Sequence, residues 1–356
     1  MNYNNPNLIF KNVPTGKVGW SSPSNIALVK YWGKQGVQIP TNPSISFTLS
    51  KSQTETTIEY SPCNNDKCGL DFFLDGIPNS KFAEKISVFF NSIKHIFPFL
   101  KQLDIRIYSK NTFPHSAGIA SSASGMSAIA LCLCDIENQN FDSFSTEDEF
   151  FQKASYVARL GSGSACRSLY GGLVSWGETN GGSNLFGSKL SHDINPIFNN
   201  YHDSILIVDS GQKKVSSTVG HGLMNTNPFS EARFEQANTN IKKLLQVLKS
   251  GNLTEFIEIV ELEALTLHAM MMTSSPYFLL MKPNTVSIID EIWKYRNDTK
   301  VPVCFTLDAG PNIHLLYPHA YKDEVHMFIN STLLKFTNNN TVIHDKVGSG
   351  PTKLQL

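Results

Sequence analysis

No stretch of this chain approaches the roughly 20 consecutive apolar residues that a membrane-spanning helix requires. Neither sign of charge is in excess: 30 Lys and Arg offset 30 Asp and Glu, a formal net charge of zero over 356 residues. That balance argues against a broad basic face for nucleic acid, so any polyanionic ligand must meet positive charge concentrated in a cleft. Cysteine is scarce, with six residues, and a chain this long does not read as a disulfide framework. Cys63 and Cys68, or Cys132 and Cys134, are spaced as zinc ligands can be, but neither pair has a second matching pair nearby. The start, Met1 to Gly16, is Asn-rich and lacks the basic-then-apolar order of a secretory signal, so the cytoplasm is the expected location. The Gly-x-x-x-x-Gly-Lys-Ser phosphate loop is missing, as are a dinucleotide fingerprint and a compelling Ser–His–Asp or Cys–His set.

What is present is an ordinary globular composition, 41% apolar and 17% charged, in a chain long enough for two or three domains or lobes. Alternation of β-branched and polar residues predicts strands over 54–60 and 104–109, with an amphipathic helix over 81–97 between them. Small apolar residues over 122–134 predict a buried helix, and 147–160 a further one. Residues 179–189 read as a loop and 204–208 as a short buried strand. Helices are expected around 229–249, 253–272, 284–297 and 321–336, and strands over 303–307, 314–317 and 341–347. Strands and helices mixed without a βαβ rhythm favour an α+β fold.

Four segments carry chemistry. Pro114 to Gly125 is a run of small residues that opens an apolar helix, where backbone donors and the helix dipole can hold phosphate. Gly118 and Gly125 permit close backbone approach there, and Ser122 offers a hydroxyl to a phosphate oxygen or its magnesium ion. The plain alternative is a tight helix contact made of Ala, Ser and Gly. Gly161 to Ser168 brings serines on a tight turn and Arg167, whose guanidinium can grip a carboxylate or phosphate with two parallel bonds. Asp308 ends an apolar strand before Ala309-Gly310-Pro311, where a carboxylate can orient or deprotonate a hydroxyl, or merely form the turn. Asn25 to Lys34 adds Lys30 and Lys34, four residues apart around Tyr31 and Trp32. Arg159 reads as structural, His268 as core or lobe-interface packing, and Cys166 as a small buried residue.

Together these segments resemble the mevalonate diphosphate decarboxylases, a branch of the GHMP kinase superfamily. Asn25 to Lys34 is similar to the family's Asn-Ile-Ala-x-x-Lys-Tyr-Trp-Gly-Lys, residues 111–125 to its phosphate loop, and 161–168 match Gly-Ser-Gly-Ser-Ala-Cys-Arg-Ser without a change. Asn42-Pro43-Ser44-Ile45-Ser46, Val215 to Thr218, Asp308 to Asn312 and Val347 to Pro351 extend the likeness over roughly 18–352.

The resemblance implies a two-lobed α+β fold with a deep cleft, the phosphate loop in an N-terminal lobe (1–190) and the catalytic aspartate in a C-terminal lobe (191–356). It implies that ATP and (R)-5-diphosphomevalonate become isopentenyl diphosphate, carbon dioxide, ADP and phosphate, with magnesium accompanying the nucleotide. The tertiary hydroxyl is phosphorylated first, and departure of that phosphate draws out the electrons of the carboxylate. Asp308, Lys30, Arg167 and Asn25 are then the catalytic set. Tyr31, Lys34, Ser162, Ser164, Arg167 and Ser217 bind substrate, and Ser121, Ser122, Gly118 and Ala120 the nucleotide. A homodimer is expected. His115-Ser116, Ser124 and His221 depart from the usual pattern. The alternatives are a decarboxylase of (R)-5-phosphomevalonate and a silent sensor of a phosphorylated ligand.

Overall fold

The structure, a computed structural model, describes residues 3–63, 68–114, 119–179, 182–190, 193–211 and 217–356. His115, Gly118, Val215 and Ser216 lie outside the described residues, as does the side chain of Ser217. The chain opens with β1 (Gly16–Val29), the hairpin β2 (Lys34–Gln35) and β3 (Ile39–Pro40), then β4 (Ser44–Pro62), β5 (Leu70–Leu74) and β6 (Ile77–Pro78). Helix α1 (Ser80–Ile93), β7 (Leu103–Asn111), α2 (Ser121–Phe141), α3 (Glu147–Gly161), β8 (Leu173–Trp176) and β9 (Ser188–Lys189) follow. The second half holds β10 (His202–Leu206), α4 (Ser217–Leu223), α5 (Ser230–Ser250), α6 (Leu253–Met272) and α7 (Pro283–Thr299). It closes with β11 (Cys304–Thr306), β12 (Ile313–Tyr317), α8 (Lys322–Phe328), β13 (Val342–Lys346) and β14 (Thr352–Lys353).

The fold is α+β in two lobes, each with its own sheet. The first sheet runs β14-β1-β4-β7-β5-β6, with β8 also on β4 and β9 on β8; among the described residues only the β5–β7 pairing is parallel. The second runs β11-β12-β10-β13, antiparallel throughout. β4 shows why alternation was readable over 54–60: Thr54, Thr56, Ile58 and Tyr60 face inward while Glu55, Thr57 and Glu59 are partly exposed. β1 carries no such signal. It contains Pro23, two glycines and three serines, yet is buried almost end to end. Its serines bond to the covering layer, Ser22 Oγ to Ser127 Oγ at 2.6 Å and Ser24 Oγ to the Ile119 carbonyl. Polar residues at buried positions must be paired, and here they are.

Boundaries shift for local reasons. Helix α1 stops at Ile93, short of 97, because Pro98 disfavours helical backbone at Phe97. The helix over 321–336 is broken instead: α8 ends at Phe328, a π-turn covers Ile329–Leu333 and a 3₁₀ turn Leu334–Phe336. Cysteine usage also has one exception to the expectation: a disulfide joins Cys63 to Cys68, brought together as β4 ends and β5 begins, while the other four cysteines are free and buried.

The lobes share a junction. One apolar cluster takes Ile26, Val29 and Phe47 from the first lobe and Ile205, Leu244, Val260 and Leu316 from the second. Asp345 on β13 accepts the backbone N–H groups of Ser50, Lys51 and Ser52 at 2.7–2.9 Å. Beyond it the chain crosses back, and β14 pairs with Trp20 and Ser21 of β1.

Candidate active site

The junction gathers the charged residues. β1 ends at Val29, so Lys30 emerges at the edge of the first lobe with its side chain only 2% exposed. Asp308 follows β11 in a tight turn closed by the Gly310 N–H on its own carbonyl at 2.7 Å. Lys30 Nζ donates to Asp308 Oδ1 at 3.1 Å, and the aspartate side chain stays a quarter exposed. Burial pulls the Lys30 ammonium below the ordinary lysine value, an effect opposed by Asp308 and reinforced by the Arg167 charge. His268 on α6 bonds through Nε2 to the Asp308 carbonyl at 3.1 Å. It is a buried residue that braces the Asp308 turn from within the second lobe.

Arg167 lies in a 3₁₀ turn (Gly163–Leu169) and is 3% exposed. Its Nε donates to Ser46 Oγ at 3.0 Å and to Asn25 Oδ1 at 3.3 Å, and its Nη1 to Ser44 Oγ at 2.6 Å. All three acceptors are neutral. Among the described residues no carboxylate pairs with this guanidinium, although Asp308 is near enough to favour its charge. Asn25 is anchored in turn through Nδ2 to Ser168 Oγ at 2.8 Å and the Ser164 carbonyl at 3.2 Å. The result is a fixed buried cation with capacity left for an external anion.

Beside it, Tyr31 packs edge-on to Trp176 and tilted over His221, with ring centroids 4.6 and 4.3 Å apart. Its hydroxyl is buried without a hydrogen-bond partner among the described residues, as a group awaiting a ligand oxygen would be. Gly163 is required here, since a Cβ would come 2.8 Å from Trp176 and 2.9 Å from the Tyr31 hydroxyl. Lys34 is half-buried and donates to Gln38 at 3.2 Å; burial lowers its pKa. Ser162 and Ser164 are partly exposed on the same turn as Arg167. His221 accepts the Gly33 N–H on Nδ1 at 3.0 Å, and burial pushes its pKa down to about 3, so it is neutral. Arg159 bonds the carbonyls of Leu185 and Val37 and so staples the β2–β3 turn, a structural task. Burial pushes the Cys166 thiol up to about 12, which removes it as a nucleophile.

The second part of the site is the start of α2. Ala120 adopts positive φ (45°), no side chain caps the helix, and its first turn holds no acidic residue. Ser121 is partly buried and Ser122 exposed. Free N–H groups with hydroxyls at the head of a 21-residue helix suit a phosphate and the hard ion that accompanies it.

Sequence reading did not single out Ser44 and Ser46 as holders of Arg167, nor Glu263, Arg233 and Asn240 behind Lys30. Two glutamates, Glu261 and Glu263, set among the apolar residues of Val260 to Leu267 were the available signal for Glu263.

Comparison with known proteins agrees with this geometry. Residues 22–186 match the diphosphomevalonate decarboxylase-like N-terminal domain and 204–354 the mevalonate 5-diphosphate decarboxylase C-terminal domain. The chain is 30% identical over 312 residues to the diphosphomevalonate decarboxylase of Danio rerio, covering 82% of this chain and 74% of that one. It is 29% identical over 329 residues to that of Debaryomyces hansenii, with 86% and 80% covered. It also superposes on the mevalonate diphosphate decarboxylase of Staphylococcus aureus (TM-score 0.82, 27% identity, 96% and 99% covered). A complex of MDDEF with MVAPP, AMPPCP and magnesium superposes equally well (TM-score 0.82, 26% identity, 96% and 100% covered).

Proposed function

This chain belongs to the diphosphomevalonate decarboxylase family, and we propose that it converts (R)-5-diphosphomevalonate and ATP to isopentenyl diphosphate, carbon dioxide, ADP and phosphate. The observation that carries this reading is the state of Arg167. It is a buried guanidinium with only neutral partners among the described residues, beside the Lys30–Asp308 pair. A carboxylate that must leave as carbon dioxide needs one fixed cation to orient it, whereas several would oppose its loss of charge.

A tertiary alcohol is a hindered nucleophile, so positioning and electrostatics supply most of the acceleration. Asp308 orients the hydroxyl and takes its proton. Lys30 stabilises charge on the transferring phosphoryl group. Arg167, fixed by Asn25, holds the carboxylate in line with the bond that breaks once the phosphorylated oxygen departs. Tyr31, Lys34, Ser162, Ser164 and Ser217 surround the diphosphate. Ser121, Ser122, Gly118 and Ala120 receive the nucleotide phosphates at the head of α2. The Ser122 hydroxyl would share magnesium with those phosphates, and the ion would supply neutralisation of their charge.

The lobes divide near residues 190 and 191, with β14 returning to the first sheet. A homodimer in the cytoplasm completes the reading. Its support is the family resemblance, and light scattering tests the assembly.

The test of function is product release from purified protein given Mg-ATP and either 5-diphosphomevalonate or 5-phosphomevalonate. Equal ADP and carbon dioxide with the diphosphate alone is the expected result. Preference for the monophosphate would change the substrate, ADP without carbon dioxide would leave only a kinase, and neither product would leave a sensor.

A further inference from the structure

Lys30 is gripped by its backbone as well as its ammonium. Its N–H donates to Glu263 Oε2 at 2.9 Å, and its carbonyl accepts from Asn42 Nδ2 at 3.0 Å and Arg233 Nη2 at 3.3 Å. Glu263 and Arg233 form a two-pronged pair, Nη1 to Oε1 at 2.9 Å and Nη2 to Oε2 at 2.6 Å, and Asn240 Nδ2 adds a bond to Oε1 at 2.7 Å. Both charged side chains are fully buried. They stand on α5 and α6 of the second lobe, whereas Lys30 directly follows β1 of the first. Both peptide groups flanking Lys30 are therefore held from across the junction.

The roles assigned above make no use of this pair. A buried ion pair is rarely better for stability than apolar residues of the same volume, so stability alone does not explain it. We propose that Glu263 and Arg233 are positioning residues for the reaction: they fix the Lys30 backbone against the second lobe so that its ammonium meets Asp308. The proposal rests on the reading of Lys30 as the cation of phosphoryl transfer. The ionisable groups that face Lys30 are Asp308, His268 and Asp203 from the second lobe, Arg167 from the first, and the pair itself. Among them Asp308 and Glu263 favour the charged lysine, while Arg167 opposes it.

The decisive experiment compares kcat against pH for the wild type, Glu263→Gln and Arg233→Met, at saturating Mg-ATP and substrate. Circular dichroism confirms folding. Glu263→Gln leaves Arg233 without its counter-charge, so kcat should fall about 10- to 100-fold with KM little changed, and the alkaline limb should move down by roughly one pH unit. Arg233→Met leaves Glu263 unbalanced, so the limb should move the opposite way. A purely structural pair would lower activity without shifts of opposite sign, and that result overturns the proposal. Lys30→Arg assigns the limb, because guanidinium does not titrate in this range. A limb that persists in that variant rejects the reading of Lys30 itself, and with it the effect of the pair on protonation. If either pair variant fails to fold, Asn240→Ser is measured: a fall in kcat of roughly threefold at constant KM supports the clamp, and an unchanged kcat rejects it.

Discussion

Among the described residues, two buried lysines, Lys153 and Lys30, each meet a carboxylate, and the two pairs differ in their surroundings. Lys153 Nζ lies 2.7 Å from Glu137 Oε1 and 2.6 Å from Oε2, with both side chains at most 5% exposed. Both partners belong to one lobe, on α3 and α2, and the rings of Phe97, Phe144 and Tyr3 stand 5.0–5.8 Å from the ammonium. Lys30 and Asp308 touch through one oxygen at 3.1 Å, come from different lobes, and leave the aspartate a quarter exposed. The first pair is closed off from solvent. In the second, solvent reaches Asp308, and a second cation, Arg167, is a neighbour. Burial of charge alone therefore does not mark the site; a pair formed across the junction that solvent still reaches does.

The sharpest way to break this comparison is to remove charge from each pair in turn. Asp308→Asn or Lys30→Met should lower kcat by about 10³-fold or more while the protein stays folded, because solvent reaches Asp308. Steady-state kinetics with a thermal melt measures both, and strong residual turnover would remove the pair from the centre of the chemistry. Asn25→Ala should follow with a loss of about 10²-fold in turnover, since Arg167 loses one of its two Nε acceptors and the link to Ser168. Retained activity there would mean that Ser44 and Ser46 suffice to aim the guanidinium.

Lys153→Met should do the reverse. It leaves Glu137 buried and unpaired, at a cost of about 3–5 kcal/mol in urea unfolding, with kcat of the folded protein within about twofold. A normal melt would make Lys153 dispensable and blur the distinction.

The smallest effect is on pH. Burial lowers His268 and His344 to about 4 from 6.5, with neighbouring charge contributing. The unfolded chain then binds protons that the folded chain refuses between pH 6.5 and 4, so stability should fall as pH drops through that window. Melting temperature measured at pH 7, 6 and 5 checks the sign, and a midpoint that rises on acidification would contradict it.

Much of the fold was legible locally. The alternation in β4 and β7 and the apolar spacing of α5 and α6 reflect one face meeting a core, which is a property of neighbours in sequence. β1 was not legible, because a strand buried on both faces has no alternation and its serines find their partners only across the sheet. The same division runs through the site. Arg167, Asp308, Lys30 and Ser122 sit in segments whose glycines and small residues announce close approach, and resemblance to a known family supplied their expected roles.

What the chain's order of residues determined by itself was the inventory: one arginine turn, one strand-end aspartate, one helix head and two lysines, in a protein without net charge. What only the tertiary structure decided was pairing. Asn25 meets Arg167 from 142 positions away, Lys30 meets Asp308 from 278, and Lys30 meets Glu263 from 233. Contacts at such separations leave no periodic trace, because their energy is realised only when distant segments meet, within one lobe for Asn25 and across two for Lys30.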